Sequence, residues 1–221
     1  MKDKQKKELE RRSYNFEVRA ETNDSGEKII TGRPIVYGSR TNLGWFDEII
    51  EPGALNGADL TDVRFLVNHD TRMIPLARSR RNNGNSTMML TADDFGLNLD
   101  FVKLDVENNT TSRSLYSAVE RRDLDGMSFM FAVDGEEWED LESDHPTRHI
   151  TKISSVVEVS AVTFPAYEAT EIYARSKEAL ENAKRELENA RERANSPLEN
   201  GNGTTNDLEL AKAKLKFLTT L

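Results

Sequence analysis

The chain contains 221 residues, 31% of them charged, and carries a net charge of −9 with no cysteine. Because cysteine is missing, disulfide bonds, thiol nucleophiles and thiolate metal sites are excluded, and a reducing compartment is indicated. The acidic balance argues against broad nucleic-acid binding, since contacts to phosphate need clustered cations.

The sequence carries no signal for a membrane or for secretion. No apolar run approaches the roughly 20 residues needed to span a bilayer. Residues 1–12 are nearly all charged and lack the apolar core of a signal peptide. We therefore predict a cytoplasmic protein with no membrane partner and no specific nucleic-acid partner.

Composition changes along the chain and predicts five segments. Aromatic residues, histidines and prolines lie almost entirely between residues 13 and 173, whereas the later part is rich in Ala, Glu, Lys, Arg and Leu. The predicted segments are a charged N-terminal extension (1–12), a β-rich globular domain (13–175), a helix (176–195), a linker (196–205) and a C-terminal amphipathic segment (206–221).

The first third of the globular domain has the pattern of a β scaffold. Residues 13–19 alternate with period two, and residues 28–37 form a second strand-like run after a turn at 23–26. These two runs predict a hairpin in which Pro34 marks an edge or a bulge. Residues 45–50 predict another short strand, and none of these runs carries visible chemistry.

A buried strand leads into the first candidate for catalysis. Residues 63–67 form an apolar run that is followed directly by Asn68, His69 and Asp70. Imidazole is the side chain best suited to take a proton from serine near neutral pH, so His69 is a candidate general base. The alternative is a histidine that only forms hydrogen bonds at a strand end.

Two more strands and a helix follow. Residues 87–91 and 97–104 have β-like patterns. One of the hydroxyl residues at 110–112 is predicted to cap a helix whose apolar residues recur at 3–4 spacing. The helix is predicted to end at residues 121–122, because their cations are favourable near a helix C-terminus.

The stretch 121–133 carries the candidate nucleophile. It turns at residues 125–126 and enters an apolar, aromatic segment with one hydroxyl, that of Ser128. Alternation predicts Phe129 on the strand face opposite to Ser128. A serine two residues after a glycine, at the start of a buried strand, is well placed to be a nucleophile; serines in this position are also ordinary turn residues.

The acidic stretch 134–146 predicts an exposed loop or the end of a hairpin. His145 and His149, together with Asp144, allow a metal-site interpretation. However, Pro146 disfavours a helix that would bring both imidazoles to one face, and no third nitrogen or sulfur ligand is near in sequence. We therefore predict surface histidines, and no metal or other cofactor.

Residues 150–164 form the longest β-like run and predict a central strand. Glu158 is an isolated carboxylate among its β-branched residues. Burying an unpaired charge costs several kcal/mol, so a buried Glu158 would need a specific partner. His69 is such a partner, because a carboxylate orients an imidazole and stabilises its charged form. The alternative is that Glu158 points to solvent from a strand with one exposed face.

Five segments, in this order, resemble the prohead proteases of tailed bacteriophages, which are capsid-maturation serine peptidases. They are GRPIVY (32–37), EPGAL (51–55), VNHD (67–70), GMSFMF (126–131) and EVSAVTFPA (158–166). The resemblance covers roughly residues 13–175. That family is similar in fold to the herpesvirus assemblins, so the resemblance implies a mainly β fold with flanking helices (α+β), built as a compact antiparallel β-barrel of the herpesvirus-protease type.

The resemblance also implies roles for three residues. Ser128 matches the family's nucleophile and His69 matches its general base. The herpesvirus relatives use a second histidine as the third member, but no histidine lies in the corresponding strand of this chain. Glu158 is the best match for that role, because a carboxylate also orients an imidazole, and Asp70 is the alternative.

The function implied by the resemblance is that of a serine endopeptidase acting through an acyl-enzyme. It would cleave the scaffold-like part of the major capsid protein, and itself, inside the phage procapsid in the host cytoplasm. The implied partners are the capsid-protein precursor with its scaffold region and, by analogy with the assemblins, a second copy of the chain. A hypothesis from a different class is a noncatalytic β-barrel assembly module with helical interaction tails.

The C-terminal part predicts two helical segments around a flexible linker. From Ser176 onward, leucine and alanine recur at 3–4 spacing, which indicates either a weak coiled coil or a solvated single helix. Residues 206–221 begin with a capping-box pattern and align leucines on one face. We expect this tail to dock on the scaffold assembly, with the linker at 196–205 as a site of self-cleavage.

Overall fold

The computed structural model describes residues 9–14, 18–163 and 177–195. Its strands and helices are, in chain order, β1 (Glu10–Tyr14), β2 (Val18–Thr22), β3 (Lys28–Val36), β4 (Arg40–Asn42), β5 (Asp47–Ile50), β6 (Arg64–Val67), β7 (Ala77–Arg78), β8 (Met88–Asp93), β9 (Gly96–Lys103), α1 (Thr110–Glu120), β10 (Gly126–Glu139), β11 (Thr147–Val162) and α2 (Lys177–Asn195). The predicted linker at 196–205 and the segment at 206–221 lie outside the described residues.

The described strands form two sheets. The larger has the order β1-β10-β11-β5-β4, with β6 paired to β11 and β7 paired to β6; the smaller has the order β2-β3-β9-β8. β11 is long enough to pair with β10 along one edge and with two successive strands along the other. Residues 147–150 pair in parallel with β5, and residues 158–161 pair in parallel with β6. Hence β6 ends beside the C-terminal part of β11.

The two longest strands form the hairpin that organises the larger sheet. β10 and β11 are antiparallel, from Gly126 opposite Val162 to Glu139 opposite Thr147. The acidic stretch of the sequence is therefore the end of a hairpin, one of its two predicted forms, because β10 continues to Glu139 before the chain turns. The register shifts several times between Met130 and Glu136, so the strand is irregular in its middle.

Both sheets contribute to one apolar core. Alternate side chains of β3, β8 and β9 meet the inward side chains of β6, β10 and β11, and each buried aliphatic or aromatic side chain contributes about 1.5–3 kcal/mol. The fully buried members include Ile30, Ile35, Leu97, Leu99, Phe65, Phe129, Phe131, Ile153 and Val159. This core holds β6, β10 and β11 in fixed positions relative to one another.

The predicted hairpin and the predicted helix are both present. β2 and β3 pair in antiparallel fashion, and the register of β3 on β9 shifts between Gly32 and Ile35, so Pro34 lies at a bulge. α1 begins one residue earlier than any of the predicted caps allow, because Asn109 is the N-cap and accepts a hydrogen bond from the Ser112 N–H at 3.0 Å.

The coarse fold prediction is confirmed: the described chain is mainly β with two helices. Most strand pairs are antiparallel, but β11 runs parallel to β5 and to β6, which the prediction of an antiparallel barrel missed. No closed barrel forms among the described strands, so the herpesvirus-type barrel stays a prediction.

β1 crosses the predicted boundary between the N-terminal extension and the globular domain. It pairs along β10 from Glu10 opposite Phe131 to Tyr14 opposite Met127. Glu10 and Arg12 are buried, although their charge made the segment resemble a solvated extension. β1 is thus the edge strand of the larger sheet.

α2 packs against the sheet and fits neither of its two predicted forms. Leu187 is buried against Phe46, with Trp138 and Leu141 packed around them. Arg191 donates hydrogen bonds to two carbonyl oxygens of the turn after β10. The described part of the chain contains no helix that is both long and apolar enough to cross a membrane.

Candidate active site

His69 lies in a tight turn at the end of β6. The parallel pairing with β11 continues to Val67, opposite Ala161, and the next two residues then adopt left-handed backbone conformations. Asn68 has φ of +51° and His69 has φ of +56°. Asparagine and histidine enter this region more readily than most residues, yet each such residue still costs of order 1–3 kcal/mol and needs support from its surroundings.

Four hydrogen bonds fasten this turn to β11 and to Thr163, the residue that follows it. The Asn68 N–H donates to the Ala161 carbonyl at 2.9 Å. The Asn68 side-chain amide accepts from the Thr163 N–H at 2.9 Å and donates to the Thr163 hydroxyl at 3.0 Å. The His69 N–H donates to the Ser160 hydroxyl at 3.0 Å. The strained backbone is thereby fixed, and the imidazole points at the β10–β11 pair.

Ser128 faces this imidazole from the neighbouring strand. It lies on β10 directly opposite Ser160 of β11 and is fully buried. Its Oγ is 2.5 Å from His69 Nε2. Phe129, the next residue, is buried in the apolar core, and this anchors the strand.

Glu158 contacts the other nitrogen of the same imidazole. Its carboxylate Oε2 is 2.6 Å from His69 Nδ1, and its side chain is only 5% exposed. Of the two interpretations of the sequence, the structure shows the buried carboxylate with a specific partner. The structure therefore brings Ser128, His69 and Glu158 into one line of contacts.

The contacts among Ser128, His69 and Glu158 are suited to proton transfer from the hydroxyl to the imidazole. When the carboxylate accepts the Nδ1 hydrogen of a neutral imidazole, Nε2 carries a free lone pair that faces the hydroxyl. A hydroxyl so placed can give up its proton as its oxygen attacks an electrophile. Such a geometry would suit a serine that acts as a nucleophile.

Ser160 is a further residue of the site, and the sequence does not single it out. Its fully buried hydroxyl accepts the His69 N–H and donates to Glu158 Oε1. Ser160 lies two residues after Glu158, so alternation along a strand puts both on one face, but a serine in a strand carries no signal of its own. Only the parallel pairing of β6 with β11 brings the His69 backbone to it.

A second acceptor competes for the Ser128 proton. The Ser128 hydroxyl donates to the Arg12 carbonyl of β1 at 2.7 Å. A single hydroxyl hydrogen serves one of these two acceptors at a time, either Arg12 O or His69 Nε2. The hydroxyl therefore has to turn from Arg12 to His69 before the imidazole can receive its proton.

Comparison with known proteins now identifies the family. Residues 14–186 match the family described as caudovirus prohead serine protease. The chain belongs to this family. No curated protein and no solved structure shows a significant match. Membership in this family implies a role in capsid maturation, action on capsid-protein precursors and a location within the phage procapsid.

Asp70, the alternative third residue, has another partner in this prohead protease family member. Its carboxylate accepts hydrogen bonds from the Arg72 side chain and backbone N–H. The hydrogen bonds from Arg72 lower the pKa of Asp70. The His69 Nδ1 contact belongs to Glu158, so the structure favours Glu158 over Asp70 for that position.

The remaining two histidines contact carboxylates elsewhere in the fold. His145 Nε2 is 3.0 Å from Asp47 Oδ1. His149 Nδ1 is 2.6 Å from Glu51 Oε1, and its Nε2 is 3.4 Å from Glu139. Within the described residues, no group of three or more His, Asp or Glu side chains is arranged to hold a metal ion.

A buried network of charges holds β1 on the sheet. Arg12 binds Glu48 of β5 with two nitrogens, at 2.5 and 2.7 Å, and Glu10 with one, at 2.7 Å. Arg148 of β11 binds Glu10 at 2.6 Å, Glu48 at 3.0 Å and Glu136 at 2.5 Å. Each buried charge is therefore matched by an opposite one.

Within this network, the pKa values of Glu10 and Arg148 shift in the direction that keeps each group charged although it is buried. Burial raises the pKa of Glu10, but the charges and hydrogen bonds of Arg12 and Arg148 outweigh this and hold the pKa below its ordinary value. Burial lowers the pKa of Arg148, and its carboxylate neighbours raise it well above its ordinary value. The Arg12 carbonyl that contacts Ser128 is fixed by this anchoring of β1.

Proposed function

We propose that this family member is a serine endopeptidase in which Ser128 is the nucleophile, His69 the general base and Glu158 the carboxylate that orients the imidazole. The observation that carries the proposal is the line of contacts from Ser128 Oγ to His69 Nε2, at 2.5 Å, and from His69 Nδ1 to Glu158, at 2.6 Å. The match to a family of prohead serine proteases supports it independently.

The proposed reaction has two steps. In acylation, His69 Nε2 takes the Ser128 proton as Oγ bonds to the carbonyl carbon of a peptide; the C–N bond breaks, and the imidazolium gives its proton to the leaving amine. In deacylation, water gives a proton to His69 and attacks the ester carbon, and Ser128 regains a proton as the carboxylic product leaves.

Glu158 contributes direction and charge. By accepting the Nδ1 hydrogen it keeps the Nε2 lone pair toward Ser128, and its negative charge stabilises the imidazolium that forms in each step. Because the carboxylate is only 5% exposed, water and salt screen this interaction little.

The proposed substrates are the scaffold-like part of the major capsid protein precursor and the chain itself, at the linker 196–205. The linker is rich in Gly, Asn and Thr, a composition typical of segments that proteases cut. Docking of residues 206–221 on the scaffold assembly belongs to the same proposal, by resemblance to the tails of prohead proteases. A homodimer and a herpesvirus-type barrel belong to it by resemblance to the assemblins.

The experiment mixes purified capsid-protein precursor with the wild-type chain, with Ser128→Ala and with Ser154→Ala, and identifies the fragments by mass spectrometry. Ser154 is the matched control, since it is a partly buried serine of β11 whose hydroxyl donates to the Ala132 carbonyl, away from the site. We expect the same fragments, and a cut within 196–205, with wild type and Ser154→Ala, and none with Ser128→Ala. Fragments that persist in Ser128→Ala would contradict the proposal.

A second candidate is a noncatalytic assembly module with helical interaction tails. It is favoured by the complete burial of Ser128 and by the hydrogen bond of its hydroxyl to the Arg12 carbonyl. If the precursor stays intact with all three proteins while each of them still co-sediments with procapsids, the module is the better description.

A further inference from the structure

Ser160 connects two members of the proposed site through a single hydroxyl. Its Oγ accepts the backbone N–H of His69 at 3.0 Å and donates to the carboxylate Oε1 of Glu158. The residue is fully buried and lies directly opposite Ser128 in the β10–β11 pair. We infer that Ser160 is a positioning residue for the reaction, an inference that rests on the proposed function.

The hydrogen count of the hydroxyl supports this role. A serine hydroxyl has one hydrogen to donate and lone pairs to accept. Ser160 gives its hydrogen to Oε1 of Glu158, which leaves Oε2 for His69 Nδ1. With one oxygen held, the carboxylate plane is fixed, and the second oxygen stays aimed at the imidazole.

The hydrogen bond from the His69 backbone N–H to Ser160 also supports a positioning role for Ser160. His69 is left-handed, with φ of +56°, directly after the left-handed Asn68. Its N–H points back toward β11, where Ser160 is its acceptor. Without that acceptor a backbone donor would lie unpaired in a mostly buried site, and the turn that aims the imidazole would lose one of its four fastenings.

Ser154 shows what an ordinary hydroxyl does on the same strand. It donates to the Ala132 carbonyl of β10 at 3.1 Å and contacts none of the three proposed catalytic residues. Both serines lie on β11, but only Ser160 has His69 and Glu158 as its partners. Ser154→Ala is therefore the control for loss of a hydroxyl from β11.

The test measures how fast a fluorophosphonate, a general reagent for activated serines, reacts with Ser128 at saturating reagent. For Ser160→Ala we expect a maximal rate about 10- to 100-fold below wild type, since a small misplacement of catalytic groups has effects of this size. The reagent concentration at half-maximal rate should change little, because Ser160 does not face the reagent. Ser160→Thr, which keeps the hydroxyl, should recover most of the rate, and Ser154→Ala should react as wild type does.

A second measurement tests the position of His69 relative to Glu158 and needs no chemical reaction. Proton NMR of the full chain should show a strongly downfield resonance for the His69 Nδ1 hydrogen held by Glu158. We expect this resonance in wild type, Ser160→Thr and Ser154→Ala, and its loss or broadening in Ser160→Ala. If Ser160→Ala does not fold, Ser160→Cys, which is similar in size and a weak donor, replaces it in both measurements.

The outcomes separate the two proposals. Suppose that the reagent labels Ser128 in wild type. The role of Ser160 is then overturned if folded Ser160→Ala reacts as fast as wild type, or if Ser160→Thr reacts no faster than Ser160→Ala. Either result leaves the proposed function standing. Wild type that is not labelled at Ser128 would count against the proposed function, and the NMR comparison would then decide the role of Ser160 by itself.

Discussion

At the scale of residues, the buried carboxylate of Glu158 is defined by its hydrogen-bond partners. A carboxylate that is 5% exposed within a central strand needs donors, and it has two: the imidazole of His69 and the hydroxyl of Ser160. Removing one partner of such a buried pair leaves the other uncompensated, which costs far more than the pair contributes. The site is therefore sensitive to single substitutions.

Glu158→Gln should abolish most of the peptidase activity while the fold persists. The amide is close in shape to the carboxylate, but it carries no charge and can turn its NH₂ toward Nδ1, which puts the imidazole hydrogen on Nε2. We expect cleavage of the capsid precursor to slow on the order of 10³- to 10⁴-fold, as for the loss of an orienting carboxylate. The measurement is the initial rate of fragment formation.

The control for that variant is Glu51→Gln. Glu51 also contacts a histidine Nδ1 at 2.6 Å, in the pair with His149, but away from Ser128. Its substitution should leave the cleavage rate near that of wild type. Equal losses in the two variants would mean that a general loss of charge, rather than orientation of His69, explains the result.

At the scale of elements, the buried side chains described in β1 are charged and form ion pairs. Its Arg12 side chain is buried and bonds to Glu48 and Glu10, which are themselves buried. Such a network adds little stability over apolar residues of similar volume, but it specifies where the strand lies. Here it places the Arg12 carbonyl against Ser128.

Arg12→Ala should therefore destabilise the fold by about 3–5 kcal/mol, because it leaves buried carboxylates without their cationic partner. Urea unfolding, followed by circular dichroism, measures the change. Arg40→Ala is the comparison: Arg40 pairs with Asp47 at 2.9 Å while its side chain is 53% exposed, and such a pair is worth about 1 kcal/mol or less. Similar losses in both variants would contradict the special importance of the buried network.

At the scale of the whole molecule, the stability of the fold should depend on acid through Asp93. Its hydrogen bond with Arg33, helped by the Phe95 and Gly96 N–H groups, lowers the pKa of Asp93 from 3.8 to about 2. A carboxyl with a lowered folded pKa stabilises the fold above its unfolded pKa and loses this contribution as the pH falls through the folded value.

Asp93→Asn should accordingly be less stable than wild type above about pH 4, and the difference should shrink as the pH falls toward 2. Urea midpoints measured between pH 2 and pH 6 test this. The neighbouring Asp94→Asn, at an exposed position, serves as control and should show a smaller difference. A difference between Asp93→Asn and wild type that stays constant over this range would contradict the assignment.

Across the whole molecule, features that depend on local sequence patterns could be predicted, and features that depend on long-range contacts could not. Strands such as β6 and β11 follow from local alternation and β-branched residues, and the segments around His69, Ser128 and Glu158 carry a family pattern. The parallel pairing of β6 with β11 and the pairing of β1 with β10 are long-range contacts without a local signal. The contacts of Ser160, which depend on the first, and of the Arg12 carbonyl, which depend on the second, could therefore not be predicted. β1 crosses the predicted boundary after residue 12, and its charges are neutralised by Glu48 and Arg148, which are distant in sequence.

Whether Ser128 is the nucleophile is tested by locating the covalent adduct after treatment with a fluorophosphonate. Tandem mass spectrometry of the digested protein should find the phosphonyl group on Ser128 alone, and His69→Ala, which lacks the base, should remain almost unlabelled. An adduct on another serine, or labelling of Ser128 in His69→Ala as fast as in wild type, would contradict the account.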